Sequence, residues 1–189
     1  MKIVLATHNA HKVEELRKIL GPRLDGIELL GYDGPEPVED GDTFEANALI
    51  KARAAFEHTG LPAIADDSGI SVDALGGAPG IHSARYAGTR DDGDNLRLLL
   101  ERMAGIGDRT AHFTCAAAYV DGDTELVELG IWPGHVLLAP AGSHGFGYDP
   151  VFKPEGIDTS SAELTAEAKN AISHRAMAFA KLFDSIRAL

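Results

Sequence analysis

The stretch Ala65-Asp66-Asp67-Ser68-Gly69 constrains this chain more than any other, because it sets two adjacent carboxylates directly after the apolar run Leu61-Pro62-Ala63-Ile64. A bare carboxylate pair repels itself and resists desolvation. At the end of a buried strand it therefore needs a cation, a hydrogen-bond donor or open solvent. A divalent metal at the mouth of a cleft meets that need. So does an acidic turn, with Asp capping its own backbone and Gly69 supplying a positive φ.

The chain before this stretch begins with a strand, Lys2 to Ala6, running into the polar turn Thr7-His8-Asn9-Ala10-His11-Lys12 and then Val13, Leu16 and Leu20 at helical spacing. Glu14, Glu15, Arg17 and Lys18 fall on the other face of that helix. A strand-turn-helix junction offers free backbone N–H groups and the positive end of a dipole to a phosphate, and Lys12 adds a full charge. Equally, Thr7 or Asn9 can cap the helix and leave Lys12 in solvent. Ile27 to Leu30 reads as a short strand and Gly31 to Gly41 as an acidic loop with Pro35 and Pro37. Asp42 and Glu45 have capping-box spacing, which predicts a helix from about Thr43 to His58 with Asn47 and Lys51 on one face.

Beyond the acidic pair, the glycines from Gly69 to Gly88 predict irregular backbone. Asp91 to Met103 is a helix, whose Leu96, Leu99, Leu100 and Met103 form an apolar stripe. Arg109 to Val120 and Thr124 to Trp132 flank the turn Asp121-Gly122-Asp123 as a hairpin, with Val136 to Ala139 as a third antiparallel strand. Leu126, Val127, Leu129, Ile131 and Trp132 are more apolar than one half-buried face requires, which points to a second copy of the chain. Gly142 to Pro150 surrounds Phe146 and Tyr148 with glycines, so each ring is either a stacking surface for a base or a core aromatic. A short helix runs from Thr165 through Lys169. His174 and Arg175 then open a final helix with Ala176, Phe179, Ala180, Phe183 and Ile186 inward. Two cations at a helix N-terminus oppose the dipole, so an anion or polar ligand offsets them, or Arg175 is simply solvated.

Composition narrows the function classes. Seventeen Lys and Arg against 29 Asp and Glu leave a net charge of −12, which disfavours nucleic acid and anionic lipid as partners. A small anionic ligand stays open, since a few lysines and a metal ion invert the potential locally. No run approaches the ~18 apolar residues of a membrane span. Met1 to Ala6 is too short for a signal peptide, so a cytoplasmic protein away from membranes is expected. At 189 residues the chain suits a single domain, 1–189. Cys115 is the lone cysteine and sits in an apolar run, as a buried structural thiol would.

In their order and wording, Ala6 to Lys12, Thr43-Phe44-Glu45-Ala46-Asn47-Ala48, Ala65 to Gly88, Gly145 to Phe152 and Ser173-His174-Arg175 resemble the inosine triphosphate pyrophosphatase family. The resemblance implies a mixed α/β fold, with helices and a long curved central sheet flooring a cleft between two lobes, usually in a homodimer. It also implies Mg²⁺-dependent hydrolysis of the small-molecule nucleoside triphosphates ITP, dITP and XTP to the monophosphate and pyrophosphate, removing them from the nucleotide pool. Thr7, His8, Asn9, Ala10, His11 and Lys12 resemble the loop that holds the triphosphate, and Lys51 a second phosphate-neutralising lysine. Glu39 and Asp67 resemble the magnesium carboxylates, with Asp67 also the proton acceptor, so Asp67, Lys12 and Lys51 form the catalytic set. Ser68 resembles a substrate contact, and Phe146, Gly147, Tyr148, Asp149, Lys169, His174 and Arg175 resemble the base pocket. His8 departs from the smaller or amide residue of many members, and Phe44-Glu45-Ala46-Asn47 lacks a Glu directly before the Asn.

The residue chemistry agrees with that implication. On a chain this acidic, a triphosphate must be held by local cations, a helix N-terminus and Mg²⁺. A carboxylate beside such a metal can deprotonate a water for in-line attack at phosphorus, with no covalent nucleophile. The chain lacks the G-x-x-x-x-G-K-[ST] loop of ordinary ATPases and kinases. Two alternatives remain at this level. One is a nucleotide-binding module that senses without turnover; the other is an enzyme like the septum-inhibitor pyrophosphatases, with other nucleotide preferences.

Overall fold

The computed structural model describes residues 1–189 with every side chain except that of His11, whose predicted substrate contact thus lies outside the described residues. The architecture is mixed α/β. In chain order the elements are β1 Lys2–Leu5, α1 Ala10–Leu20, β2 Glu28–Leu30, α2 Phe44–Thr59, β3 Ala63–Val72 and α3 Asp92–Arg102. They continue with β4 Thr110–Val120, β5 Glu125–Val136, β6 Phe152–Pro154, α4 Ala166–Ile172 and α5 His174–Arg187. One six-stranded sheet takes the order β2-β1-β3-β4-β5-β6. β1 is parallel to both β2 and β3, while β6 is antiparallel to β5. No helix is long and apolar enough to cross a membrane among the described residues.

The chain forms two compact units. The first comprises Met1–Asp67, Cys115–Gly130 and His174–Leu189; the second comprises Ser68–Thr114 and Ile131–Ser173. β3, β4 and β5 contribute residues to both.

In the first unit, strand alternation sorts side chains onto two faces. Ile3, Leu5, Cys115, Ala117 and Tyr119 face Leu16 and Leu20 of α1 and Phe179, Leu182 and Phe183 of α5. Ala65, Ala116, Ala118 and Val120 face Ala48 and Ala52 of α2. Alanine against alanine lets α2 lie close to the sheet. The apolar residues of β5 are divided the same way, Leu126 onto the first cluster and Val127 and Leu129 onto the second. Both faces of the strand are thus covered within one chain, and of the five residues that suggested a second copy only Ile131 is more than half exposed, at 52%. In the second unit Phe113, Trp132 and Phe152 cluster, with Phe113 and Phe152 edge to face at 4.4 Å.

Three local expectations are corrected. β3 does not end before the acidic pair but runs through it to Val72, so Asp66-Asp67-Ser68-Gly69 is strand and neither a turn nor the start of irregular backbone. The irregular backbone begins with the 3₁₀ turns Asp73–Leu75 and Gly80–Arg85. α2 is capped by Thr43, whose hydroxyl accepts from Ala46 N at 3.1 Å, so the Asp42–Glu45 box does not form: the residue third from the true cap is Ala46. The third antiparallel strand is Phe152–Pro154, with Val136 opposite Phe152, because Val136 completes β5 and the chain leaves the ladder after it.

Candidate active site

The acidic pair survives in mid-strand because each carboxylate has its own cation. Successive side chains of a strand point to opposite faces, so Asp66 and Asp67 are presented to different helices. Asp67 Oδ1 lies 3.4 Å from Lys51 Nζ on α2, and the same ammonium lies 3.1 Å from Glu39 Oε2. Asp66 Oδ2 lies 3.5 Å from Arg175 Nε at the start of α5, and Arg175 Nη1 donates to Glu15 Oε2 at 2.8 Å. One helical turn before Lys51, the buried Asn47 accepts from Gly41 N through Oδ1 at 2.8 Å and so ties the Glu39 loop to α2.

Electrostatics separate the two aspartates. Burial pushes both carboxyls up. For Asp66 the charges of Arg175, Lys12, Lys51 and His174 outweigh burial and hold it below the usual aspartate range. For Asp67 burial, reinforced by Glu39 and Asp66, outweighs Lys51 and leaves it above that range. Burial alone lowers the Lys51 ammonium, but Asp67, Asp66 and Glu39 together raise it, so it stays charged. Burial and its neighbours thus shift the two adjacent carboxyls in opposite directions, Asp66 down and Asp67 up.

The expected Thr7–Lys12 loop is shorter: α1 begins at Ala10, so only Thr7, His8 and Asn9 precede the helix and Lys12 lies in its first turn, which carries no acidic residue. Asn9 N donates to Thr7 Oγ1 at 3.2 Å, and Lys12 N to Asn9 O at 3.1 Å. His8 Nε2 is 2.6 Å from Gly34 O, its ring stacks on Tyr32 at 5.5 Å, and its Nδ1 is 3.5 Å from Glu36. This holds the loop to the segment that leads to Glu39.

The second unit carries the other predicted residues. Ser68 Oγ is buried without a hydrogen-bond partner among the described residues. Phe146 is 61% exposed, whereas Tyr148 is buried and donates its hydroxyl to Ser83 O at 2.6 Å; of the two aromatics one is presented and one is core. Asp149 is buried. Its Oδ2 accepts from Lys169 Nζ at 2.5 Å and Phe146 N at 3.0 Å, and its Oδ1 from Ser161 Oγ at 2.8 Å. The Lys169 ammonium stands 4.9 Å from the Phe146 ring centre.

Residues 3–185 match the model of the Ham1 family. The chain belongs to that family. A Leifsonia xyli protein named dITP/XTP pyrophosphatase is 58% identical, aligned over all of this chain and 97% of its own length. A Streptomyces coelicolor protein of the same name is 53% identical over all of this chain and 98% of its own. Among solved structures, a HAM1 protein from Coxiella burnetii superposes with a TM-score of 0.91 at 39% identity over both full chains. A nucleoside-triphosphatase, dITP/XTP pyrophosphatase, from Mycobacterium abscessus superposes with a TM-score of 0.80 at 46% identity, covering 96% of this chain and 98% of its own.

In this Ham1 chain several functional contacts escape the sequence reading. Glu15, on the helix face opposite Val13, Leu16 and Leu20, is only 31% exposed in its side chain and holds Arg175, which is itself 8% exposed rather than solvated. Arg175 Nη2 is buried with no hydrogen-bond partner among the described residues. Gly130 in β5 lets the N-terminus of α5 approach: a Cβ there would stand 1.9 Å from His174 O and 2.7 Å from Ala178 N. A lone glycine in a β-rich run was the available signal.

The donor set also limits the metal. No group of three His, Cys, Asp or Glu able to hold an ion is found among the described residues. Glu39 and Asp67, brought to one ammonium, suit Mg²⁺, which binds through one or two carboxylates and completes its shell with water and phosphate oxygens. They do not suit a closed structural zinc site.

Proposed function

We propose that this chain is an Mg²⁺-dependent pyrophosphohydrolase that cleaves ITP, dITP and XTP to the monophosphate and pyrophosphate. The observation that carries this reading is the convergence of Glu39 and Asp67 on Lys51, in a chain whose relatives are named dITP/XTP pyrophosphatases. The backbone N–H groups at the start of α1 and the charge of Lys12 bind phosphate oxygens, and Lys51 neutralises a second part of the chain of phosphates. Asp67 takes a proton from the attacking water while the phosphoanhydride bond to pyrophosphate breaks. Mg²⁺ held by Glu39 and Asp67 would supply charge stabilisation on the phosphate oxygens. For the base, the free N–H of Arg175 donates to a 6-oxo group, which hypoxanthine and xanthine offer and adenine does not. Phe146 offers a ring for stacking, with Lys169 beside it. The protein works in the cytoplasm as a homodimer, with the exposed Ile131 and Leu138 as candidate interface residues.

Pyrophosphate release from a panel of nucleoside triphosphates, with and without Mg²⁺, tests the reading. ITP, dITP and XTP should turn over only with the metal, and far faster than ATP. Equal turnover of ATP, or full activity after metal removal, would overturn it. Sedimentation at micromolar concentration should give twice the mass of one 20.0 kDa chain.

A further inference from the structure

Phe146 is exposed on a turn between glycines, where a ring is ordinarily free to move and loses entropy when a ligand stacks on it. Here the backbone N–H groups on both sides of its Cα–C unit are held by carboxylates from different elements. Phe146 N donates to Asp149 Oδ2 at 3.0 Å, and Asp149 N returns a bond to Phe146 O at 3.1 Å, which closes the turn on itself. The next N–H, that of Gly147, takes no part in this exchange. It donates to Asp92 Oδ2 at 2.9 Å, across 55 residues of chain. Gly147 has φ 58°, a left-handed conformation that suits glycine.

Asp92 is the first residue of α3 and is not needed as its cap. Asp91 already fills that role by accepting from Asp94 N at 2.9 Å. The carboxylate of Asp92 is thus left to reach the turn. We propose that Asp92 is a positioning residue for base recognition: by holding the Gly147 N–H from α3, it fixes the Phe146 ring in the orientation on which the purine stacks. It touches neither phosphate nor base and acts through Phe146. The inference rests on Phe146 being the stacking platform.

The test combines Asp92→Ala, Asp92→Asn, Phe146→Ala and the Asp92→Ala/Phe146→Ala double variant. Steady-state kinetics with ITP are read beside competitive inhibition by inorganic triphosphate, which has no base. Phe146→Ala should raise KM at least roughly tenfold, the scale of one lost base–aromatic stack. Asp92→Ala should raise KM roughly fivefold with kcat held, as loss of one hydrogen bond that pre-orders a binding group would. Asp92→Asn keeps an oxygen that accepts from Gly147 N and should recover most of that loss. Inhibition by triphosphate should not change, and Asp92→Ala should add little in the Phe146→Ala background, because the two act as one unit. A purely structural role for Asp92 would lower thermal stability without this KM pattern. The inference is overturned if Asp92→Ala leaves KM unchanged while Phe146→Ala raises it, or if its effect is as large without Phe146. A Phe146→Ala variant with normal KM would instead remove the platform reading itself.

Discussion

Lys51 Nζ lies 3.4 Å from Asp67 Oδ1, joining the middle of α2 to the middle of β3. Both side chains are largely buried, 18% and 16% exposed, so the pair is shielded from the screening that weakens surface ion pairs. Asp67→Asn keeps the shape of the side chain and leaves Lys51 with Glu39. The fold should persist, and turnover should fall at least ~100-fold, the low end for loss of a positioned general base. Pyrophosphate release and a far-ultraviolet dichroism spectrum check both parts.

Asp66 should make stability depend on acid pH. Its carboxyl is held below the usual range, so the folded state binds the proton less readily than the unfolded chain does. The stabilisation is complete above the unfolded value of ~3.9 and is lost as pH falls through the lower folded value. Asp67 has the opposite sign, its raised carboxyl disfavouring the folded state as pH rises past the unfolded value. Asp66→Asn should cost about 2 kcal/mol at pH 7, less than a fully broken buried pair because Glu15 still holds Arg175. Urea unfolding at pH 7 and near pH 3 should show the difference between variant and parent shrinking in acid.

Arg175→Ala should lower kcat/KM for ITP far more than for ATP. The guanidinium can only donate, so it favours a 6-oxo purine and gains nothing from an amino group. The ITP to ATP ratio should therefore fall. Equal losses on both substrates would make Arg175 a phosphate or structural group.

Gly130→Ala should destabilise by about 3 kcal/mol, at the upper end of overpacking costs, because the added methyl meets the backbone of α5 at His174 and Ala178 and not a movable side chain. The displaced helix start carries His174 and Arg175. A urea midpoint that stays at the parent value would contradict this contact.

What was legible in the sequence depended on local periodicity and local chemistry. The stripe Leu96, Leu99, Leu100 and Met103 specifies α3, and Val13, Leu16 and Leu20 specify α1, because a helix repeats within a few residues. Asn47 and Lys51 share a face of α2 for the same reason. The chemical demand of Asp66-Asp67 for cations was legible too, since the cost of burying carboxylates does not depend on the fold. Which cations answered it was not. Lys51 is 16 residues from Asp67 and Glu15 is 160 from Arg175, distances over which sequence pattern carries no geometry. Local rules also misplaced what tertiary contacts control. Asp-Asp-Ser-Gly has the composition of a turn, but paired with Lys51 and Arg175 it continues as strand. Tyr148 and Phe146 look alike two residues apart, and only the packed structure decides that Tyr148 is buried on Ser83 while Phe146 faces out, because burial is a property of what the rest of the chain places nearby.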